Sequence, residues 1–507
     1  MLTGDPSNGD LTAVIRVAQA AAEDAARPAA VAKQLARGAR TARQRLDAMC
    51  DPGSFVEYGR LVHPVVPGEV DGTGTADGLV CGTGSIDGTA VCALLYDYTV
   101  FGGSQSARNH RKAERMFSLA HDHRWPVVIW SEGGGARPQD MFHMGGAVAT
   151  FTALARISGL APTVCVLPGR AFAGHANLAG LCDLVIATVD ACLGMAGPPL
   201  VLAASGSFFT PEELGPVSLH AETGVVDVVV ADEREATEAV ARYLQYFGGR
   251  LEPGEDPDTS KLATVVPTDP RVAYDVRDVI GLLADVDTFM ELRARFGMSV
   301  VVGLAFIGGH PVGIIASQPS RLAGSIDADA SDKIARHIQL CDAYDLPLVY
   351  LCDTPGFLVG PDVERTALIR HSARTLAAAA NATVPKFTVV LRKAYGLGYY
   401  AMGSESLDPT LIVAWPTAEF GGMGLEGAVN IMHARELAEM TEEDRVAFRS
   451  TRTAQLKEGN TALARGRAFQ VDDVIDPCDT RAILRRALDL LPLPTPRNGR
   501  KHPIDPW

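Results

Sequence analysis

The sequence predicts an α/β fold built twice over. Three observations lead there: short apolar runs alternate with Ala- and charge-rich helical stretches, the alternation restarts past the middle of the chain, and the restart repeats the order of the first pass. At 507 residues the chain exceeds what one hydrophobic core usually supports.

The alternation is clearest at residues 91–96, 127–130, 164–167 and 184–187, which read as strands separated by segments such as 106–122. The repeat lies in the spacing. Residues 125–130 (WPVVIW) precede SEGGG at 131–135, and residues 346–351 (LPLVYL) precede CDTPG at 352–356, which sets Val127 against Leu348. Downstream, RAFAGH at 170–175 parallels KAYGLG at 393–398, which sets Arg170 against Lys393 at nearly the same interval. Apolar strands follow both, then Gly-rich turns at 194–197 and 421–424. Three matches in one order at nearly constant offset indicate a duplicated domain. Residues 252–270, rich in Pro, Asp and Thr, read as the linker, giving domains 1–262 and 263–507.

Composition narrows the function. Hydrophobic residues are 47% and charged residues 21%, a globular balance. A net charge of -14 disfavours nucleic acid and anionic membrane as partners, and any anionic ligand needs a local positive potential from Arg, Lys or helix N-termini. The nine cysteines form no CxxC pair, so no structural zinc is expected; scattered thiols suit a reducing cytoplasm. Residues 11–49 read as a mixed-charge helical stretch, not a signal peptide, and no apolar run reaches membrane-spanning length. There is no P-loop, GxSxG elbow or HExxH helix. The glycines at 72, 74, 78, 82, 84 and 88 read as strand-linking turns, and His121, Asp122 and His123 as a solvated helix end.

In each half an apolar strand leads into Gly-rich turns and then a probable helix. Glycine admits close backbone approach and positive φ. A helix N-terminus offers free N–H groups and partial positive charge. Together these make an oxyanion hole suited to a thioester enolate.

Several segments together resemble the carboxyltransferase β subunits of biotin-dependent acyl-CoA carboxylases, the acetyl- and propionyl-CoA carboxylase β family. They are TARQRLD (41–47), DPGSFVE (51–57), DYTVFGGS (97–104), GGGARPQ (133–139), SQP (317–319), AGSID (323–327), DTPGF (353–357) and RKAYG (392–396), in family order from about 40 to 480.

The resemblance implies a crotonase-like spiral of ββα units in each half, with CoA held by the N-terminal domain and biotin by the C-terminal one. It implies carboxyl transfer from carboxybiotin to the α-carbon of an acyl-CoA. The ureido anion of biotin takes the α-proton, so no side chain serves as base. The implied oxyanion donors are the backbone N–H groups of Gly174 and His175, and of Leu397 and Gly398. Gly134, Gly135, Ala136, Arg137 and Tyr400 are expected at the CoA thioester, and Thr354, Pro355, Gly356, Phe357, Tyr395 and Gly396 at biotin. Arg137, beside the glycine turn, either meets a CoA phosphate or holds the turn in a buried ion pair.

The sequence carries neither a biotin attachment site nor an ATP-grasp region. The implied partners are therefore a biotin carboxylase and a biotin carrier, with a hexamer (a trimer of dimers) as the assembly.

Three positions depart from the family pattern. His175 replaces a glycine, so its imidazole either narrows the pocket or packs away from it. Leu397 replaces a glycine and limits positive φ there. Tyr400 stands where family members tune the acyl pocket; there its bulk disfavours long chains, and the alternative reading is an interface anchor or a core residue. Rival readings are a biotin-dependent acyl-CoA decarboxylase α subunit, a biotin-independent crotonase-type decarboxylase or hydrolase using Glu132 or Asp353, and a non-catalytic scaffold subunit.

Overall fold

A computed structural model describes residues 8–64, 75–137, 140, 148–492 and 499–507. Gly72 and Gly74, read as turn glycines, and Pro138 and Gln139 of the GGGARPQ segment lie outside the described residues. The chain divides into two compact units: Met1–Gln245 with His502–Pro506, and Tyr246–Lys501 with Trp507. Residues 252–270, read as a linker, fall within the second unit, where Arg481 pairs with Asp256 at 2.5 Å.

The described residues of the first unit form nine strands: β1 (Val56–Glu57), β2 (Leu79–Ile86), β3 (Thr89–Tyr96), β4 (Val127–Trp130), β5 (Thr163–Leu167), β6 (Arg170–Phe172), β7 (Leu184–Thr188), β8 (Cys192–Gly194) and β9 (Val228–Val230). The main sheet runs β1-β2-β3-β4-β5-β7-β9, antiparallel through β3 and parallel from there on. β6 and β8 form a separate parallel pair. Strands β4, β5 and β7 are buried at every position, as expected of parallel strands covered on both faces.

Three helices of this unit matter for the site: α1 (Ala42–Met49), α2 (Ala107–His123) and α3 (Gly174–Gly180). α2 starts at Ser106, whose hydroxyl accepts from Asn109 N while the Asn109 side chain accepts from Ser106 N. Its apolar stripe, Ala113, Met116, Phe117 and Ala120, joins the core under the sheet.

The second unit repeats this plan. β10 (Met290–Leu292), β11 (Val300–Ile307), β12 (His310–Ser317), β13 (Leu348–Thr354), β14 (Lys386–Tyr395), β15 (Leu411–Ala414) and β17 (Asp473–Val474) form the sheet, and β16 (Glu419–Gly421) pairs with the end of β14. Even the register repeats. Leu79 pairs with Tyr96 across β2 and β3, and Val300 pairs with Ser317 across β11 and β12, displaced along the chain by the same interval that separates Val127 from Leu348. β14 does in one strand what β5 and β6 do in two. α4 (Ala328–Ala343) is capped by Asp327, which accepts from Ala330 N at 2.8 Å, and α5 (Gly396–Ala401) follows β14. The duplication read from sequence spacing is therefore a duplication of strand order and register. Among the described residues no helix is long and apolar enough to cross a membrane.

Buried charge fixes the first unit. Arg45 on α1 is 1% exposed and donates to Glu233 at 2.7 and 3.1 Å and to Glu132 at 2.9 Å. Arg45→Met leaves Glu132 and Glu233 without their shared cation, and removing one partner of a buried pair costs about 3–5 kcal/mol. Chemical denaturation of the variant is expected to show a loss of that size.

Candidate functional site

β4 leads directly into Ser131 and Glu132. The Glu132 carboxylate turns inward to Arg45, and the chain then reverses through Gly133, Gly134 and Gly135. Gly133 N donates to Arg170 O at 2.7 Å and Phe172 N to Gly133 O at 3.0 Å, which ties the turn to β6. Gln105 N donates to Gly135 O at 2.8 Å, and Arg137 N to Gln105 O at 2.6 Å, so Ala136 is paired beside Gln105.

β6 then delivers Ala173 at φ 53 and ψ -118, immediately before α3. A side chain is strained in that region, at a cost of about 1–3 kcal/mol. The bend turns the first N–H groups of α3, those of Gly174 and His175, away from the ladder. Among the described residues neither N–H has a hydrogen-bond acceptor. A Cβ on Gly174 would overlap Gln105 Oε1, so a larger residue there requires the Gln105 side chain to move.

The His175 imidazole packs inward and leaves the pocket clear. It is 0% exposed, its ring meets Tyr96 edge-on at 4.5 Å, and its Nε2 lies 2.9 Å from Gly103 O. A carbonyl only accepts, so Nε2 carries the proton and Nδ1 accepts from the Ser131 hydroxyl at 2.9 Å. Burial pulls its pKa down to about 3.

The second unit builds the same corner from different residues. Near the end of β13, Asp353 accepts from Arg392 Nε at 2.8 Å and from Lys393 N at 3.1 Å. Thr354 donates from its hydroxyl to Gly324 O at 2.8 Å and accepts from Gly356 N at 3.2 Å. Pro355 and Gly356, the latter at φ 122, complete the turn, and Phe357 pairs beside Ile326.

Tyr395 ends β14 with its hydroxyl on Glu419, and Gly396 takes φ 54, nearly the value of Ala173. The positive φ thus falls on Gly396, and Leu397 takes an ordinary helical conformation. The constraint expected at 397 does not arise. Among the described residues the N–H groups of Leu397 and Gly398 also have no acceptor. A Cβ on Gly398 would stand 2.6 Å from Gly356 Cα.

The Leu397 side chain is 60% exposed and Tyr400 44% exposed. Tyr400 borders a hollow of about 190 Å³ shared with Gly396, Tyr399, Phe420, Arg465 and Gln470.

Arg137, expected at the CoA, faces the protein interior. It is 6% exposed, pairs with Asp77 and Asp140 at 2.9 Å each, and lies over the Phe101 ring at 4.2 Å. Its charge is matched internally and it braces the turn. Glu132 and Asp353 are likewise held by arginines, so neither is placed as a free base. His121, Asp122 and His123 lie exposed at the end of α2. The sequence reading missed Ser131, Gly103 and Gln105. The repeat could have found one of them: the interval from Val127 to Leu348 carries Gly103 onto Gly324, and Gly103 packs on Glu132 O as Gly324 packs on Asp353 O.

Residues 33–497 match the Carboxyl transferase domain family. The chain is 36% identical over 490 residues to the biotin-dependent acetyl-/propionyl-coenzyme A carboxylase beta5 subunit of Mycobacterium tuberculosis, covering 91% of this chain and 88% of that one. Among solved structures, the transcarboxylase 12S hexamer with methylmalonyl-coenzyme A and methylmalonic acid bound aligns with TM-score 0.88 and 33% identity over 99% of both chains. A single-chain, multi-domain long-chain acyl-CoA carboxylase aligns with TM-score 0.89 and 41% identity over 95% of this chain; the present chain spans 49% of its length. Two crotonase-like halves, each ending its central strands in an N–H-lined turn, define a carboxyltransferase. The chain belongs to the Carboxyl transferase domain family and is the carboxyltransferase subunit of a biotin-dependent acyl-CoA carboxylase.

Both features of the first corner can be tested. Ala173→Gly relieves the strained backbone and, after glycine's entropic cost, stabilises by about 1 kcal/mol, read from the denaturation midpoint. His175 has a folded pKa below its unfolded value near 6.5, so the unfolded chain binds the proton more readily. Its contribution is complete above that value and is lost as pH falls toward about 3. Wild type should lose stability faster than His175→Asn across that window in pH-dependent melts.

Proposed function

We propose that the chain moves a carboxyl group between biotin on a carrier protein and the α-carbon of a short acyl-CoA, acetyl- or propionyl-CoA before longer chains. One observation supports this most: the same corner occurs twice, each time presenting two N–H groups without an acceptor among the described residues at the start of a short helix, at Gly174–His175 and at Leu397–Gly398. One pair serves the thioester oxygen as the enolate forms, and the other serves the ureido oxygen.

The Gly396–Gly398 corner fits biotin: its floor is backbone, its donors are free, and Thr354, Pro355, Gly356, Phe357 and Tyr395 hold it rigid. Biotin when bound supplies the carboxyl group and the base for the α-proton. The protein's residues supply preorganised dipoles that need no reorientation as charge appears. Gly134, Gly135 and Ala136 offer backbone along the thioester, and Tyr400 restricts the acyl chain.

A separate biotin carboxylase and biotin carrier are the required partners. A hexamer is the expected assembly, and exposed Leu200, Phe208, Ile431 and Phe469 are apolar surface that such packing would cover. The nine cysteines are free, and eight are buried, which suits the cytoplasm.

The reaction is testable in reverse. Malonyl-CoA and methylmalonyl-CoA offered with free biotin should lose their carboxyl group only when biotin is present; loss without biotin would refute the assignment. Gly398→Ala forces a Cβ against Gly356 and displaces one donor pair. Its kcat should fall about a hundredfold or more while circular dichroism stays native.

A further inference from the structure

With Arg137 turned inward, the anionic end of a CoA thioester lacks the cation expected for it, in a chain of net charge -14. We infer that Arg111 and Arg115, on the exposed face of α2 and seconded by Arg108, bind the phosphate groups of the CoA thioester. This rests on the carboxyl-transfer reading.

Positions 108, 111 and 115 follow 3–4 helical spacing, so the three side chains share one face, and all three are exposed. They border a hollow of about 350 Å³ whose other wall is Tyr58, Gly59 and Val62, a size suited to a small molecule. Arg108 braces that wall, donating to His63 O at 2.8 Å and Pro64 O at 3.2 Å. Lys112 forms the floor and is not available to a ligand, since its ammonium is bound to Ala76 O and Leu79 O. Gly59, at φ 68, allows the close approach: a Cβ there would stand 2.9 Å from Lys112 Cε.

Arg111 and Arg115 stay uncompensated. Among the described residues neither has a carboxylate within ion-pair distance. The nearby acids are engaged elsewhere: Glu57 accepts from Arg43 at 3.1 Å, and Glu114 accepts from Ala149 N at 2.8 Å and the Thr150 hydroxyl at 3.2 Å.

The placement suits an extended thioester. α2 begins beside Gln105, which abuts Gly174 at the proposed enolate site. At a rise of 1.5 Å per residue, Arg111 and Arg115 stand about 9 and about 15 Å further along the axis. A CoA thioester with its carbonyl at the turn carries its diphosphate and ribose phosphate well away from the reacting carbon. Charge-assisted bonds from guanidinium to phosphate are the strong kind, and Tyr58 offers an apolar wall for the base.

The test compares malonyl-CoA with malonyl-pantetheine, which lacks the nucleotide, in the reverse assay for wild type and R111E/R115E. KM for malonyl-CoA should rise about tenfold in the variant with kcat preserved, its dependence on salt should flatten, and malonyl-pantetheine should keep its wild-type kcat/KM. Adenosine 3′,5′-bisphosphate should inhibit wild type competitively and the variant weakly. An unchanged KM, or an equal rise for both thioesters, overturns the assignment. A loss confined to the carrier-dependent forward rate would give the arginines to an acidic partner surface and also overturn it. If wild type turns over neither thioester, the carboxyl-transfer reading fails on its own. Calorimetric binding of adenosine 3′,5′-bisphosphate to both proteins then still decides the arginines' role.

Discussion

Glu132, just past the end of β4, and Asp353, near the end of β13, are both removed from water. A buried carboxylate needs a cation and full hydrogen bonding, and each has them: Glu132 from Arg45, Asp353 from Arg392 and the Lys393 amide. Because the carboxylate is pinned, the strand end cannot shift, and the next turn starts from a fixed point. Gly103 and Gly324 then pack so tightly on the carbonyls of the same two residues that neither could carry a Cβ. The glycine turns, the positive-φ bend and the free N–H groups are all placed relative to that anchor. The acids most tempting as catalysts by position are thus the ones that hold the frame still.

That arrangement suits a reaction whose base comes with the cofactor. A side-chain base near the thioester would need a carboxylate or imidazole that is accessible and able to titrate. Here both carboxylates are locked, and the one imidazole at the corner is neutral, buried and spent on Gly103 and Ser131. What remains directed outward is backbone. Fixed dipoles in a rigid turn stabilise developing charge without competing for the proton.

The duplication was legible because strand register and turn position are spacing properties, and the interval between Val127 and Leu348 survives even where residue identities diverge. The glycine turns were legible for the same reason, as glycine-rich stretches that recur at matching places in the two halves. Side-chain direction was not. Whether His175 entered the pocket depended on Ser131 and Gly103, which are far apart in sequence and meet it only after folding. Arg137 sits beside the turn in sequence, yet Asp77, 60 residues upstream, draws it inside. At Leu397 the sequence pattern placed the positive φ one residue too late; the bend lies at 396. The compact units part at Gln245 and Tyr246, while the Pro-rich segment beyond is packed within the second unit, which composition alone does not reveal.

The two corners share a backbone and differ in what supports it. At the bend, Ala173 and Gly396 hold φ 53 and 54, but only the first carries a Cβ and its strain. Just past the bend, at the second N–H of each pair, His175 fills the interior behind its turn, whereas Gly398 has no side chain and lies against Gly356. The first corner is therefore braced through a buried side chain, and the second by direct contact of backbone with backbone. A duplicated fold can keep one geometry at both sites only while each finds its own support for it. Once the supports differ, the two corners can diverge in what surrounds them while the backbone turn at each stays the same.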